Sequence, residues 1–389
     1  MINYNCVLIG CGEIALKGPK TRSHYEKFMI SNIKDALDYF NIKSEVIKRD
    51  GRLIVETDKV QEASKILLRV FGIEWLSPAL KIKLKDLEGF IIERAKDLLN
   101  GANSFKLEIN RVGKHDFTSL DLAKKLGDLI RRALNVKVDL KKAERTIYIE
   151  IRDEDSFIFL NKFRGYGGLP YGVSGKVLSL ISGGIDSPVA SFLMMKRGCK
   201  VNFLHFHSFR KGKEALDEKM GKILTSLAYP NLKFEAFFVP SFPFEVEVIK
   251  VPQGYRNILF RRFMLRVGEI LASKIKAKGL VLGDSLAQVA SQTLDSLYAL
   301  DEAINLPIFR PLIGFNKEEI VNLAKIIGTY EFSIKDYKDC CSLIGRKPNT
   351  RPNLEKVKEY ENLLNLDKII KDSLSLIEVY HFFGEEITT

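Results

Sequence analysis

Cysteine is scarce in this chain. Five occur in 389 residues, Cys6, Cys11, Cys199, Cys340 and Cys341. They are too few and too scattered for a disulfide scaffold, and with no C-x-x-C pair a structural zinc site is not expected. A reducing cytoplasm suits such usage. No run of 18 apolar residues occurs, so no membrane-spanning helix is expected. The start, Met1-Ile2-Asn3-Tyr4-Asn5-Cys6, has no basic segment ahead of an apolar one and does not read as a secretory signal. Low-complexity tracts and short repeats are missing. So is any G-x-x-x-x-G-K-[ST] segment, which excludes the ordinary P-loop that transfers a γ-phosphate.

What is present is enough for a large core. Of the residues, 46% are hydrophobic and 28% charged, and the length suits two or three domains. The formal net charge is +12 and the sequence pI about 9.2. A small nucleotide does not need that excess, whereas a nucleic acid would use it; a Lys-rich surface of no special purpose fits the charge equally well. Residues 1–175 carry 31 Lys and Arg against 24 Asp and Glu. The excess is therefore spread over both halves.

The sharpest signal is Ser179-Leu180-Ile181-Ser182-Gly183-Gly184-Ile185-Asp186-Ser187. An apolar run, Val177 to Ile181, stops at a Gly/Ser turn, and a helix-compatible segment from Val189 to Arg197 follows. Glycines let the backbone approach an anion, and free N–H groups at a helix start attract phosphate. Ser182 and Ser187 add hydroxyls and Asp186 a carboxylate. Further apolar strand-length runs are Val201 to Phe206, Phe234 to Val239 and Leu280 to Gly283. Helical segments separate them, near Lys213 to Leu227 and Asn257 to Lys276. This alternation predicts a doubly wound parallel sheet with ligands beyond its carboxyl ends.

Ahead of it, Arg164 to Gly175 holds five glycines and a proline and reads as a linker. Before the linker the pattern mixes α and β. Cys6 to Gly10 and Arg52 to Glu56 are strand candidates, and Tyr25 to Phe40 has helical spacing. Phe105, Leu107 and Ile109 alternate with polar residues, as do Ile147, Ile149 and Ile151. Thr118 or Ser119 can cap a helix bearing Leu122, Leu126, Leu129, Ile130 and Ala133 on one face. Two small α+β units result, dividing near Lys59 to Ser77.

The loop resembles the SGGxDS loop of the PP-loop ATP pyrophosphatases, and further segments widen the likeness. They are Gly12-Glu13-Ile14-Ala15-Leu16-Lys17-Gly18, Gly168-Leu169-Pro170 with Gly175-Lys176, Ser182 to Ala190, His205-Phe206, Arg261-Arg262, Gln288-Val289-Ala290-Ser291-Gln292-Thr293, and Arg310-Pro311-Leu312 before Asn316-Lys317-Glu318. In this order they resemble the tRNA 4-thiouridine synthetases, the ThiI family, over nearly the whole chain. The resemblance implies a ferredoxin-like domain (1–60), a THUMP RNA-binding domain (61–165), a linker (166–175) and a Rossmann-like PP-loop domain (176–389). It implies ATP with Mg²⁺, tRNA as substrate, a homodimer, and conversion of the uridine at position 8 to 4-thiouridine. A second role in supplying sulfur for the thiamine thiazole also comes with the family. Two departures stand out. Only 48 residues follow Cys341, about half of what a separate domain needs, so a form without the rhodanese domain is expected and sulfur would come from a cysteine desulfurase or another external persulfide or sulfide. The glycine usual before Gln-Val-Ala-Ser-Gln-Thr is Ala287.

Residue by residue, Asp186 suits Mg²⁺, which prefers carboxylate and phosphate oxygen, although a helix-capping carboxylate is the plainer role. Leu180, Ile181, Ser182, Gly183, Gly184 and Ser187 are expected around the ATP, with His205, Phe206 and Gly283 from neighbouring strand ends. Arg261 and Arg262 are adjacent on a helix and point about 100° apart, so one of them is expected to face the site. Lys317 opens a helix, where a cation opposes the macrodipole, and a phosphate-facing task would explain it. Gln288 and Gln292, one helical turn apart, could reach adenine or ribose, or equally cap backbone. The pair His205 and His207 reads as packing rather than metal ligation. Cys340-Cys341 lies beside Arg346 and Lys347, which favour a thiolate; the resemblance aligns Cys341 with the family's relay cysteine, while two inert loop cysteines remain the alternative. Cys199 reads as a core strand residue. Lys17, Arg111, Lys114, Arg131 and Arg132 are the cations expected to meet tRNA. Competing readings are a 2-thiouridylase or C–N ligase of the PP-loop type, and a non-catalytic tRNA-binding protein.

Overall fold

The computed structural model describes residues 2–338, 340, 344 and 349–389. They form two compact units, 1–170 and 171–389. Among the described residues no helix is long and apolar enough to cross a membrane.

In the first unit nine strands form one sheet. They are β1 Cys6–Gly10, β2 Glu45–Arg49, β3 Arg52–Glu56, β4 Trp75–Lys83, β5 Ser104–Val112, β6 Lys137–Val138, β7 Arg145–Arg152, β8 Asp155–Phe159 and β9 Phe163–Arg164. Their order is β2-β3-β1-β4-β8-β7-β5-β6, with β9 on β4. The period-2 alternation decides which residues face the helices. Val7, Ile9, Leu53 and Val55 meet Met29, Ile33 and Leu37 of the helix Pro19–Tyr39. Ile147, Ile149 and Ile151 meet the helices Leu87–Leu99 and Ser119–Leu134. Thr118 caps the latter in a reciprocal box with Asp121.

Two features differ from the sequence expectation. The helix expected from Tyr25 begins at Pro19, whose preset φ starts the first turn while exposed polar residues carry it to the core. The two α+β halves also share a strand. The first part of β4 pairs with β1 (Cys6↔Ala79) and the second part with β8 (Leu80↔Ile158). The sheet's other face carries a second core of Cys6, Leu8, Ile54, Ala79, Phe157 and Phe159. Arg52 on β3 forms a two-pronged salt bridge, 2.9 and 3.0 Å, to Glu150 on β7, with three strands lying between them in the sheet. The sheet is thus curled so that its two halves close over this face.

The second unit is built on β10 Lys176–Leu180, β11 Lys200–His207, β12 Lys233–Pro240, β13 Leu280–Val281, β14 Ile308–Phe309, β15 Glu378–Phe383 and β16 Glu386–Thr388, in the order β14-β13-β10-β11-β12-β15-β16. The first five in that order are parallel, as the alternation of apolar strands and helices predicts. The edge pair β15–β16 is antiparallel. Phe206 and Leu178 pack on Phe260 and Phe263 of the long helix Gln253–Lys274. Cys199 precedes β11 in a turn rather than lying in it, and is buried. From β10 the chain passes to β11 on one side and returns as β13 on the other. The loop after β10 therefore opens at the switch point, where the sheet leaves a crevice.

Candidate active site

That loop is held by its own serines. The Ser182 N–H donates to Ser187 Oγ (2.9 Å), the two hydroxyls lie 3.1 Å apart, and the Gly184 N–H donates to Ser182 Oγ (3.3 Å). The helix Asp186–Lys196 starts directly after it, so its first N–H groups face the crevice opening. Gly283, just past β13, abuts this first turn. A Cβ there would stand 2.7 Å from Ser187 N and 3.0 Å from the Asp186 carbonyl carbon. The glycine is required by space.

Asp186 is the meeting point of three segments. Lys317 Nζ donates to Oδ1 at 2.7 Å and Gln288 Nε2 to Oδ2 at 2.8 Å. Lys317 opens the helix Lys317–Ile327, which Asn316 caps with Glu319. Half exposed and paired with Asp186, its ammonium tolerates the unfavourable helix end. Gln288 and Gln292 do not lie on a helix. They sit in a tight loop closed by Ala287 N–H to Gln292 O (2.9 Å) and Gln292 N–H to Val289 O (2.9 Å). Ala287 holds φ +61°, a left-handed value that glycine takes more readily. Gln292 reaches Asp284 (3.4 Å) rather than Asp186. The Oε1 atoms of both glutamines are buried and, among the described residues, receive no donor.

The adjacent arginines separate. Arg261 donates to Asp284 Oδ1 (2.6 Å) and to the Ser291 carbonyl (3.0 Å) beside the loop. Arg262, itself fully buried, turns instead to buried Glu361 (3.0 and 2.7 Å), to the Ala299 carbonyl and to the more exposed Glu302 (3.0 Å). The helical twist sends it away from the crevice, and its partners mark it as a structural residue. Phe206 likewise buries its ring among Phe260 and Phe263, and Leu180 and Ile181 join the core, so what these three can offer a nucleotide is main chain. His205 Nδ1 lies 2.8 Å from the Ile181 carbonyl and Nε2 2.8 Å from Tyr337 Oη. Burial pushes its pKa down to about 3. His207 is buried on the same strand.

Asp284, Lys219 and Tyr337 escaped the sequence reading, which marked Arg310 only as part of the Arg310-Pro311-Leu312 segment and gave it no role in the site. Asp284 is a buried hub that also receives Arg310 Nε (3.2 Å). Its signal was position, Gly283-Asp284-Ser285 at the end of an apolar strand. Lys219 interrupts the apolar stripe of Leu216, Met220 and Ile223 and is itself buried.

Among the thiols, burial pushes Cys6 and Cys11 up to about 12 and raises Cys199. Cys340 is buried, with Sγ 3.2 Å from Ser208 Oγ and 3.3 Å from Ser241 Oγ. Cys341 lies outside the described residues. In the first unit Lys114, Arg131 and Arg132 are exposed, while Lys17 and Arg111 are half-buried. Arg111 lies over Phe117 and bonds His115 Nδ1 (3.3 Å), and Arg131 pairs with Asp128 (3.2 Å).

Comparison with known proteins supplies three family matches: the ThiI ferredoxin-like domain over residues 6–77, the THUMP domain over 84–161, and the thiamine biosynthesis protein ThiI over 172–366. A probable tRNA sulfurtransferase of Caldanaerobacter subterraneus subsp. tengcongensis is 39% identical over 372 residues, covering 94% of this chain and 96% of that one. One from Brevibacillus brevis is 36% identical over 398 residues, covering 100% and 98%. The fold is similar to the crystal structure of a 4-thiouridine synthetase in complex with RNA and bound ATP, with a TM-score of 0.85 and 29% identity over 99% of this chain and 100% of that one.

Proposed function

The chain belongs to the ThiI family and is an ATP-dependent tRNA sulfurtransferase, and we propose that it adenylates O4 of the uridine at position 8 and replaces that oxygen with sulfur. The observation that carries the proposal is the convergence of Lys317 and Gln288 on Asp186, at the mouth of a Gly/Ser loop that opens a helix.

A carbonyl oxygen is a poor leaving group. Attack of O4 on the α-phosphorus of ATP expels pyrophosphate and makes that oxygen part of an AMP ester. Sulfur then adds at C4 and AMP departs. The chain must hold the pyrophosphate and oppose charge spreading over the α-phosphate. The N–H groups of Gly183 and Gly184 and the hydroxyls of Ser182 and Ser187 suit the pyrophosphate. Lys317 suits the α-phosphate, and Asp186 keeps its ammonium in place until the nucleotide arrives. Arg261, oriented by Asp284, adds positive charge beside the site, and the unfilled Oε1 acceptors of Gln288 and Gln292 suit donors on the nucleoside.

No cluster of three or more His, Cys, Asp or Glu occurs among the described residues. A single carboxylate at a phosphate loop nevertheless fits Mg²⁺, which takes most of its ligands from phosphate and water. Asp186 would hold that ion, which neutralises phosphate charge when bound.

The first unit, with Lys17, Arg111, Lys114, Arg131 and Arg132, would hold tRNA mainly through phosphates. Sulfur would come either from a cysteine desulfurase or another external persulfide, passing through Cys341 as a persulfide whose S–S bond an external thiol reduces once the outer sulfur has attacked C4, or from sulfide, which attacks C4 directly without Cys341, in a reducing cytoplasm. A homodimer would let one subunit hold the tRNA that the other modifies.

The test is nucleoside mass spectrometry of tRNA incubated with ATP, Mg²⁺ and a desulfurase. Asp186→Ala should lose 4-thiouridine formation and tRNA-dependent pyrophosphate release, while its melting temperature stays close to the parent's, since the Lys317 partner of Asp186 is half exposed and such a pair is worth about 1 kcal/mol at most. Thiolation by that variant at the parent rate would reject the role.

A further inference from the structure

The Gly/Ser loop opens at the carboxyl end of the second unit's parallel strands. At their amino end, four adjacent strands carry a lysine at or just before their first residue. Lys176 opens β10, Lys200 opens β11 and Lys233 opens β12, and Lys278 stands just ahead of β13. Their register sets them side by side. Lys176 pairs with Lys200. The pairing Phe203↔Ala236, carried back to the start of both strands, sets Lys200 opposite Lys233. The Lys278 N–H donates to the Lys176 carbonyl at 2.8 Å, in step with Leu178↔Leu280. Neighbouring strands lie about 4.8 Å apart, so the row is about 14 Å long. Residues in register on parallel strands point to one face, so the four ammonium groups share it.

Such a row is unfavourable by itself, because like charges on neighbouring strands repel. Among the described residues none of the four lysines forms an ion pair. Lys200, Lys233 and Lys278 are exposed and Lys176 is half-buried. The ammonium of Lys233 lies 4.2 Å from the centre of the Phe383 ring. Lys176, Lys200 and Lys233 line a groove of about 590 Å³ that runs onto β15 and β16. Its acids do not neutralise them. Glu235 accepts from Asn202 Nδ2 (3.0 Å) and faces His381 Nδ1 at 4.0 Å, while Glu386 is exposed on the edge strand β16. Further along the same face Leu178, Leu204 and Phe237 belong to the core. The amino end of this face is therefore open and polar, with an unneutralised cationic border.

We propose that the lysine row is a docking surface for the sugar-phosphate backbone of the tRNA. The inference rests on tRNA being the substrate, and it adds a contact on the second unit to the cations expected on the first. A duplex carries one phosphate per roughly 3.4 Å of axis on each strand, so a row of about 14 Å meets about four of them. A single small anion engages one or two of the lysines and leaves the others repelling. The row lies about 20 Å from the Gly/Ser loop, measured along β10 from Lys176 to Ser182. About six base pairs of a tRNA arm span that distance. Phosphate contacts fix orientation and carry no sequence information. The row thus sets where the tRNA rests, and the choice of nucleoside stays with the crevice.

The experiment uses the full chain and two variants, a triple Lys176→Gln/Lys200→Gln/Lys233→Gln and a single Lys200→Glu. It reads tRNA affinity between about 50 and 200 mM salt, with 4-thiouridine formation and melting temperature alongside. The triple variant should bind tRNA at least about tenfold more weakly, and its plot of log affinity against log salt should be shallower by about two. KM for tRNA should rise with it, while kcat at saturating tRNA stays within about twofold, because the row is remote from the crevice. Lys200→Glu places a carboxylate between Lys176 and Lys233. It should melt no earlier than the parent yet bind tRNA more weakly, and it decides the matter if the triple variant unfolds early. Parental affinity and salt slope in both variants would overturn the proposal. So would parental tRNA binding beside a loss of thiolation confined to a desulfurase as sulfur source, which would assign the row to an acidic protein. If the parent chain neither binds nor thiolates tRNA, the substrate reading itself fails and the docking surface falls with it. A parent that does both, beside variants that match it, sinks the docking surface alone.

Discussion

Gly283→Ala tests how tightly the loop is built. The added Cβ would lie 2.7 Å from Ser187 N, 2.9 Å from Ser187 Cα and 3.0 Å from the Asp186 carbonyl carbon, where ordinary contact begins at 3.4 Å. Relief needs a shift of 3.4 − 2.7, or 0.7 Å, between the end of β13 and the first turn of the helix Asp186–Lys196. All three clashing atoms are backbone, and the helix behind them is locked by buried Pro188, Val189 and Ala190. No rotamer change can absorb the overlap. Overpacking of this kind costs about 1–3 kcal/mol, which lowers the melting temperature of a unit this size by roughly 3–10 °C. The larger effect is on the chemistry. Displacing Asp186 and Ser187 by that distance from Lys317 and Gln288 should slow tRNA-dependent pyrophosphate release by about 10- to 100-fold. Gly314→Ala is the control, since nothing lies within 4 Å of a Cβ there, and it should stay within about 0.5 kcal/mol of the parent. Thermal unfolding and pyrophosphate release on both variants decide the question. A Gly283→Ala protein that melts and adenylates like the parent would refute the steric reasoning.

Three further outcomes are expected. Arg262→Ala leaves Glu361 buried without its main partner and should cost about 3–5 kcal/mol in denaturant unfolding, while nucleotide affinity of the folded fraction stays unchanged; a pure affinity loss at parental stability would return Arg262 to the site. Stability should fall on acidification from pH 6.5, because His205 is neutral when folded and takes up a proton when unfolded, with a slope of up to about 1.4 kcal/mol per pH unit. Below pH 4.5 Glu361 adds to this loss: burial alone would raise its carboxyl, but Arg262 and Arg266 hold it below that ordinary value. Denaturation midpoints that are flat between pH 7 and 5 would contradict the His205 assignment. Ala287→Gly removes the left-handed strain at φ +61° and should raise stability by about 1 kcal/mol in the same assay; a midpoint unchanged from the parent would contradict the strain.

Local chemistry made much of this protein legible in sequence. The strand, Gly/Ser turn and helix around Ser182–Ser187 are set by residues within a dozen positions, as is the capped helix after Thr118. Apolar strands separated by helices carried the parallel sheet, since a strand covered on both faces has no polar side to show. The partners of Asp186 were another matter. Lys317 lies 131 positions away and Gln288 102, and only the return of the chain as β13 beside β10 brings them together. Helical spacing made Arg261 and Arg262 look alike; the packing of Glu361 against the long helix decided which became core. The curl that closes Arg52 onto Glu150 comes from β4 serving both halves, which no local pattern announces. Lys219 and Tyr337 were invisible for the same reason, since burial of a charge depends on carbonyls more than 100 positions distant. Sequence by itself determined the strand, the Gly/Ser turn and the helix start that follows it, because these rest on backbone conformation over a few residues. Tertiary structure decided which side chains gather at that helix start, because that rests on contacts between distant segments.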